Sequence, residues 1–312
     1  MNKSAVKLLP AFKDYLWGGV KLKTEFGKKS DLDIVAESWE LSTHKDGQSI
    51  VETTGQVLSE YIEEQGEGVL GENASAFEFF PILIKFIDAQ KPLSVQVHPS
   101  DEYALKNEGQ YGKTEMWYIL DCEDGASLYY GLKCDATKEE VEKRIADGTL
   151  TDILNEVKVK KGDVFFIESG TIHAIGAGIV ICEIQQNSNL TYRVYDYNRR
   201  DKDGNLRELH VEKALKVSNL CPPPEIKASE ESDDKILASC KYFTVRAVMV
   251  DGEKKIEMSE KCFNSVIITD GEGTLTLNSE VLELKKGDSV FIPAQNAEYR
   301  LTGKMDAIIS YV

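Results

Sequence analysis

The sequence predicts a mostly β protein made of two barrels, with a small helical excursion in the first. Three observations carry this. Short runs rich in β-branched and aromatic residues alternate with Gly and Asn turns, as in VKKGDVFFIESGTIHAIGAGIVICEIQQNSNLTYRVYDYNRRD, the pattern of a sandwich or barrel. One segment occurs twice, as KKGDVFFIESGTIH from Lys160 to His173 and as KKGDSVFIPAQNAE from Lys285 to Glu298, which marks two copies of one β unit. Finally, 312 residues exceed the size at which a single core stops growing, so two domains are expected.

Taken in order, residues 1–50 are mixed, with a turn at YLWGG (Tyr15 to Gly19) and a strand at VAESWELS (Val35 to Ser42). Trp17 and Trp39 read as core rather than pocket mouth, because buried aromatics usually serve packing. Residues 56–64 carry apolar side chains at helical spacing and stop near Gly66, which predicts an amphipathic helix. FEFFPILIKFIDAQKPLSVQVHP then gives two core strands broken at Lys91-Pro92. Lys85, set inside the first, either snorkels to an edge or projects into a pocket; the former is favoured.

The stretch from Leu93 to Leu120 has strand-like ends, Leu93 to Val97 and Met116 to Leu120, read as a pair joined by a polar connection. Ser127 to Leu132 is a further strand. Thr137 to Gly148 reads as a helix with a Thr N-cap, a Glu-rich first turn and a Gly C-cap. A second short helix is expected at Thr151 to Val157, completing an excursion over 137–157. The Pro-rich, then acidic CPPPEIKASEESDDK, Cys221 to Lys235, reads as a linker. It separates a catalytic unit, 1–220, from a C-terminal unit of short strands, 236–312.

A net charge of −16 argues against a nucleic-acid partner, and an anionic substrate would need its own basic pocket. The N-terminal MNKSAVKLLPAF lacks the apolar run of a secretory signal, and no run of about 18 apolar residues occurs. A cytoplasmic protein without membrane contact is expected. The six cysteines show no CxxC pair and are expected to be reduced, mostly buried and without a metal role.

Chemistry concentrates where the first barrel is predicted. Gln96 and His98 lie two apart at the end of one strand, on one face of the pleat, and Glu115 opens the next. An imidazole, a carboxylate and an amide oxygen could hold one divalent metal. Of the other histidines, His44 and His210 lie in charged surroundings and read as surface or capping residues.

The repeat resembles the second motif of the cupins, which implies two cupin-like (jelly-roll) barrels. In the first copy Gly162, Gly170 and His173 fall in register, with Glu168 where Pro is usual. In the second, Gly287 and Pro293 fit, but Gln295 and Glu298 replace the Gly and the His. The first copy therefore keeps a metal-ligand histidine. The second is expected to pack and support. Gln96, His98 and Glu115 hold the places of the first cupin motif, so two imidazoles, a carboxylate and an amide oxygen make an N/O set for zinc, and also for iron, manganese or cobalt.

LSVQVHPSDEYA, GKTEMWYIL, GTIHAIG and EIQQNSNLTYRVYDYNRRD, with the flanking FPILIKFIDA and AESWELS, closely resemble type I mannose-6-phosphate isomerase in its short bacterial form. The resemblance implies a zinc enzyme that interconverts mannose 6-phosphate and fructose 6-phosphate. It places Gln96, His98, Glu115 and His173 as metal ligands and Arg193 as the active-site arginine. Lys113 matches the lysine beside the metal-binding Glu, and Glu183 the acidic residue ten positions before the arginine. The longer family members carry a larger helical insertion, so phosphate contacts made there do not transfer.

Isomerisation needs a base and a positive environment for the enediolate. Arg193 and Lys113 supply charge to the enediolate or the phosphate. Glu183 is the first candidate for the base, its pKa expected to rise on burial; an ion pair with Arg193 is its other reading, and a metal-held water is another base. A non-catalytic sugar-phosphate-binding cupin and an iron cupin oxygenase are the competing functions.

Overall fold

The computed structural model describes residues 3–66, 68–200, 203–225 and 232–312. Strands dominate, in three antiparallel sheets. The first has six, in spatial order Val164–Ile167, Glu115–Cys122, Ile179–Gln186, Ile82–Ala89, Glu37–Leu41 and Ala11–Lys13. The second has five: Tyr192–Tyr195, Val95–Val97, His173–Ala174, Ser127–Leu132 and Leu154–Lys158. These two sheets face each other, and Trp117, Ile119, Ile167 and Ile181 from one pack on Leu128 and Tyr130 from the other. That is the interior of a jelly-roll barrel.

The third sheet, eight strands mostly from Asp234–Ser239 to Ala297–Tyr311, curls around Val248, Leu275, Val290, Tyr299 and Leu301. Between it and the outer face of the first sheet lies a second apolar layer containing Phe86, Leu120, Ile184, Phe243 and Phe291. The first sheet is thus covered on both sides. This is why Ile82–Ala89 and Ile179–Gln186 are buried at every position and carry apolar residues on both faces, the polar exceptions including Lys85 and Glu183, which face the barrel interior.

The repeated KKGD builds the same turn twice. Gly162 and Gly287 both stand at φ +91°, a conformation costly for any other residue. The following aspartate closes the turn in each copy: Asp163 Oδ2 accepts from Lys160 N at 2.9 Å and Asp288 Oδ2 from Lys285 N at 3.1 Å.

The chain start joins the far barrel, since Val6–Leu9 pairs with Ser289–Ile292. A buried ion pair reinforces this junction: Lys28 Nζ lies 2.6 Å from Glu40 Oε2 and donates to the Gly287 carbonyl at 2.5 Å. Removing one partner would leave a carboxylate uncompensated in the core. Lys28→Ala is therefore expected to lower stability by about 3–5 kcal/mol, read as a lower urea midpoint at unchanged slope.

Helices follow the expected caps. Leu58–Gln65 ends at Gly66, φ +77°, and Lys138–Asp147 starts where Thr137 accepts from Glu140 N and stops at left-handed Gly148. The second helix of the excursion is not formed: Leu150–Ile153 is one 3₁₀ turn, and Leu154–Lys158 is a strand on Ser127–Leu132. Pairing with an open sheet edge outweighs local helix preference there.

The strands at the two ends of residues 93–120 do not pair with each other. Val95–Val97 belongs to the second sheet and Glu115–Cys122 to the first, so they face one another across the barrel. Between them runs a helix that the sequence reading missed, Asp101–Glu108, bounded by extended Ser100 and left-handed Gly109. All six cysteines are free, but only Cys182 is buried; Cys134 and Cys221 are exposed. Of the expected linker, residues 226–231 lie outside the described residues.

Candidate active site

Strand register sets two rows of side chains against each other inside the barrel. On the first sheet, Trp117, Glu183, Lys85 and Trp39 are directly opposed across four neighbouring strands. On the second, Tyr130, His173, Gln96 and Arg193 do the same. Opposed residues leave a sheet on the same face, so the sequence-distant candidates converge without any of them being near neighbours in the chain. Glu115 sits one step from the first row, opposite Gln185.

His98, Glu115 and His173 bring ligand atoms within 4.8 Å of one another, all fully buried. His98 Nδ1 lies 2.7 Å from the Leu190 carbonyl and His173 Nδ1 2.8 Å from that of Thr171. A carbonyl only accepts, so both Nδ1 atoms carry the proton and both Nε2 atoms present a lone pair; that of His98 is unpartnered and that of His173 accepts a long bond from the Gln96 amide nitrogen. The two Nε2 atoms stand 3.6 and 3.4 Å from the two Glu115 oxygens. Trp117 packs edge-on against His173 at 5.3 Å and fixes its ring. The Gln96 side-chain nitrogen reaches His173 Nε2 at 3.4 Å.

The electrostatics ask for a cation. His98 Nε2 and Glu115 Oε1 are buried with no hydrogen-bond partner, and Glu115 Oε2 has only the Lys113 ammonium, a costly state for the unpartnered atoms unless something else coordinates them. Burial and the neighbouring Glu183 push Glu115 up to about 8, although Lys113 stands 2.9 Å away. Burial holds both histidines below their ordinary value, His173 at about 4, and therefore neutral. Two neutral imidazoles converging with a buried carboxyl that has one oxygen free fit a divalent metal ion, which would displace the proton that burial favours on Glu115.

Beside this group opens a polar cavity of about 290 Å³, whose wall includes Lys85, Gln96, Lys113, Glu183, Arg193 and Arg207. Burial opposes charge on Lys113, but Glu115 and Glu183 outweigh it and hold the ammonium up to about 12. Glu183 accepts from Trp117 Nε1 at 3.1 Å and lies 3.5 Å from Lys85 and 3.9 Å from Lys113. Burial alone would raise its pKa, as the sequence reading expected. Lys113 and Lys85 outweigh burial, and the carboxyl is held below its ordinary value. The alternative Glu183–Arg193 ion pair is not formed: Arg193 instead donates to Ser94 Oγ and the Glu208 carbonyl.

Lys85 does not snorkel. It is 3% exposed, bridges Glu183 and Glu37, and lies over the Trp39 ring. Its odd-numbered place among inward-facing Ile87 and Ala89 was the available signal. Trp39 is core as expected, while Trp17 is both buried and part of the cavity wall. His44 is not a surface residue: it packs edge-on to Trp39 and its Nδ1 accepts from Asp46 N. His210 stands at the N-cap of Val211–Val217 and accepts from Arg193 N. In the second copy of the repeat, Gln295 is bonded to the Lys3 backbone and Glu298 faces Lys255 near the surface. No helix among the described residues is long and apolar enough to cross a membrane.

The chain is similar to known proteins over nearly its whole length. Residues 5–124 match the family described as phosphomannose isomerase type I, catalytic domain, and residues 233–312 that described as mannose-6-phosphate isomerase, cupin domain. Mannose-6-phosphate isomerase ManA of Bacillus subtilis is 39% identical over 97% of each chain. The mannose-6-phosphate isomerase of Streptococcus mutans is 37% identical over 95% of this chain and 94% of its own. The crystal structure of the mannose 6-phosphate isomerase from Bacillus subtilis superposes with a TM-score of 0.89 at 34% identity, covering 99% of this chain and 100% of that one.

Proposed function

We propose that this chain, which belongs to the type I phosphomannose isomerase family, interconverts mannose 6-phosphate and fructose 6-phosphate at the cavity beside His98, Glu115 and His173, with one zinc ion. The observation that supports the site assignment is the convergence of His98, Glu115 and His173 on one point, with His98 Nε2 and Glu115 Oε1 left without a hydrogen-bond partner. His98, His173 and Glu115 would hold the ion, with Gln96 completing the set through its amide oxygen once its amide, whose nitrogen faces His173 Nε2, is turned over. A bound zinc would supply a Lewis acid that polarises substrate oxygens. An all-N/O set with two neutral imidazoles suits zinc, and no thiolate competes.

The chain's own residues do the rest. Glu183, ionised and held by Trp117, Lys85 and Lys113, takes the proton from C2 of the open-chain aldose and returns it to C1. A second proton moves from the C2 hydroxyl to the C1 oxygen, so the ketose forms without net gain or loss. Lys113, cationic at working pH, stabilises the enediolate in a site the two sheets shield from water, and Arg193 supplies positive charge to the substrate farther along the cavity. The 1–220 unit carries this chemistry, and the 236–312 barrel, which lacks the ligand set, supports it.

Purified protein incubated with mannose 6-phosphate is expected to yield fructose 6-phosphate, to lose that activity on chelation and to regain it with zinc. Activity indifferent to chelation would remove the metal from the mechanism. Absence of conversion with metal present would leave a sugar-phosphate-binding cupin.

A further inference from the structure

At the end of the cavity away from the histidines, the wall carries charge that enediolate chemistry does not need. In a chain of net charge −16, two guanidinium groups, Arg199 and Arg207, bond to one buried carboxylate, Asp196, and a third, Arg193, lies near them. Asp196 accepts from Arg199 Nε at 3.0 Å, and from Arg207 Nε and Nη2 at 2.7 and 2.5 Å. Arg193, Arg199 and Arg207 face Asp196 and the exposed Glu208, so positive charge remains in local excess.

The three arginines are not equivalent. Arg199 also spends its donors on the carbonyls of Asp196 and Pro92. Arg207 lines the cavity, and because Asp196 takes Nε and Nη2, its Nη1 makes no hydrogen bond among the described residues. Arg193 repeats the pattern on the same wall: Nε donates to Ser94 Oγ at 3.3 Å and Nη1 to the Glu208 carbonyl at 2.9 Å, which leaves Nη2 unbonded. Each of the two is fixed through part of its fork and keeps one nitrogen free. Burial and the nearby Arg207 both act against the charge on Arg193, so two guanidiniums are held together with too little anion between them. The intervening loop is held in a costly conformation, with Tyr197 and Asn198 at φ 55° and 54°, of the kind retained where function requires it.

Placement adds direction. His173, Gln96 and Arg193 are opposed across three neighbouring strands, so Arg193 lies two strand spacings, about 10 Å, from His173. The Glu208 and His210 backbones bond to Arg193 on its outer side, which brings the segment bearing Arg207 alongside. A hexose with its C1–C2 end at the histidines lays C6 toward this pair.

We propose that Arg207, fixed by Asp196 and acting with Arg193, anchors the phosphate of the substrate and sets the preference for phosphorylated over free sugar, an assignment that presupposes the isomerase activity stated above. Asp196 is a positioning residue: it aims the Arg207 fork and touches no substrate.

The test is steady-state kinetics with mannose 6-phosphate, with inorganic phosphate as competing probe, on wild type, Arg207→Ala, Arg207→Lys and Asp196→Asn. Arg207→Ala is expected to raise KM and the phosphate inhibition constant together, each by about tenfold or more, with the larger share in KM rather than kcat. Arg207→Lys restores part of both, as it returns the charge without the fork. Asp196→Asn shifts both in the direction of Arg207→Ala. If Arg207→Ala melts like wild type, keeps its metal and leaves both constants within about twofold, the phosphate is held elsewhere and the assignment is wrong while the isomerase stands. If wild type makes no fructose 6-phosphate, the isomerase reading is what fails, and calorimetric binding of inorganic phosphate to the same variants still decides the role of Arg207. Should Arg207→Ala not fold, Arg207→Gln and Arg207→Lys carry the comparison.

Discussion

His173→Ala is expected to lose bound metal and turnover together, the metal affinity by more than about a hundredfold and kcat by about a thousandfold or more. The reason is the number of demands this ring meets at once. Its Nδ1 is committed to the Thr171 carbonyl, its Nε2 stands 3.4 Å from Glu115 Oε1, and Trp117 holds its plane. Losing only an orienting partner of a metal-bound imidazole costs about 10–100-fold, and removal of the ligand itself takes away both the lone pair and its orientation. Because His173 is fully buried, a packing defect is the competing explanation. His173→Gln restores volume without an imidazole and is expected to recover the melting temperature more than the metal. A His173→Ala protein with wild-type metal content by elemental analysis and undiminished turnover would show that the ion sits elsewhere.

The fold was legible in proportion to how local its signals are. Caps and turns act within a few residues, so Thr137, Gly148 and the doubled KKGD turn could be read directly, and the structure repeats each. The segment 154–158 was misread because its strand identity comes from the edge of Ser127–Leu132, far away in sequence. The metal group divides in the same way. Motif spacing singled out His98, Glu115 and His173, but register alone reveals that Gln96 lies opposite both His173 and Arg193, and no local pattern encodes register. Lys85 was assigned to the edge because a lysine in an apolar run is usually amphipathic. Its inward parity, opposite Glu183, makes sense only once the strand has partners on both sides. Arg207 escaped notice entirely, since its function depends on Asp196 placing it.

Glu183→Gln is expected to abolish solvent exchange of the C2 proton of mannose 6-phosphate and to lower kcat by about 10²–10⁴-fold, while bound metal stays at the wild-type level. The substitution keeps the volume and can keep the Trp117 bond, because the side-chain oxygen still accepts from Nε1. What it removes is the proton-accepting oxygen. Glu183 Oε2 is buried without a hydrogen-bond partner, yet lies 3.5 Å from Lys85 and 3.9 Å from Lys113, which keep it ionised. The adjacent carboxylate behaves oppositely: burial and Glu183 drive Glu115 up, and Lys113 and Lys85 draw Glu183 down against burial. Two neighbouring carboxyls pushed apart in this way divide their work, one toward a cation and the other toward the proton. A structural salt bridge would predict something else, namely lost stability with C2 exchange intact. Measuring tritium or deuterium washout at C2 alongside the melting temperature separates the two, and washout at the wild-type rate in the Gln variant would move the base to another group on the cavity wall.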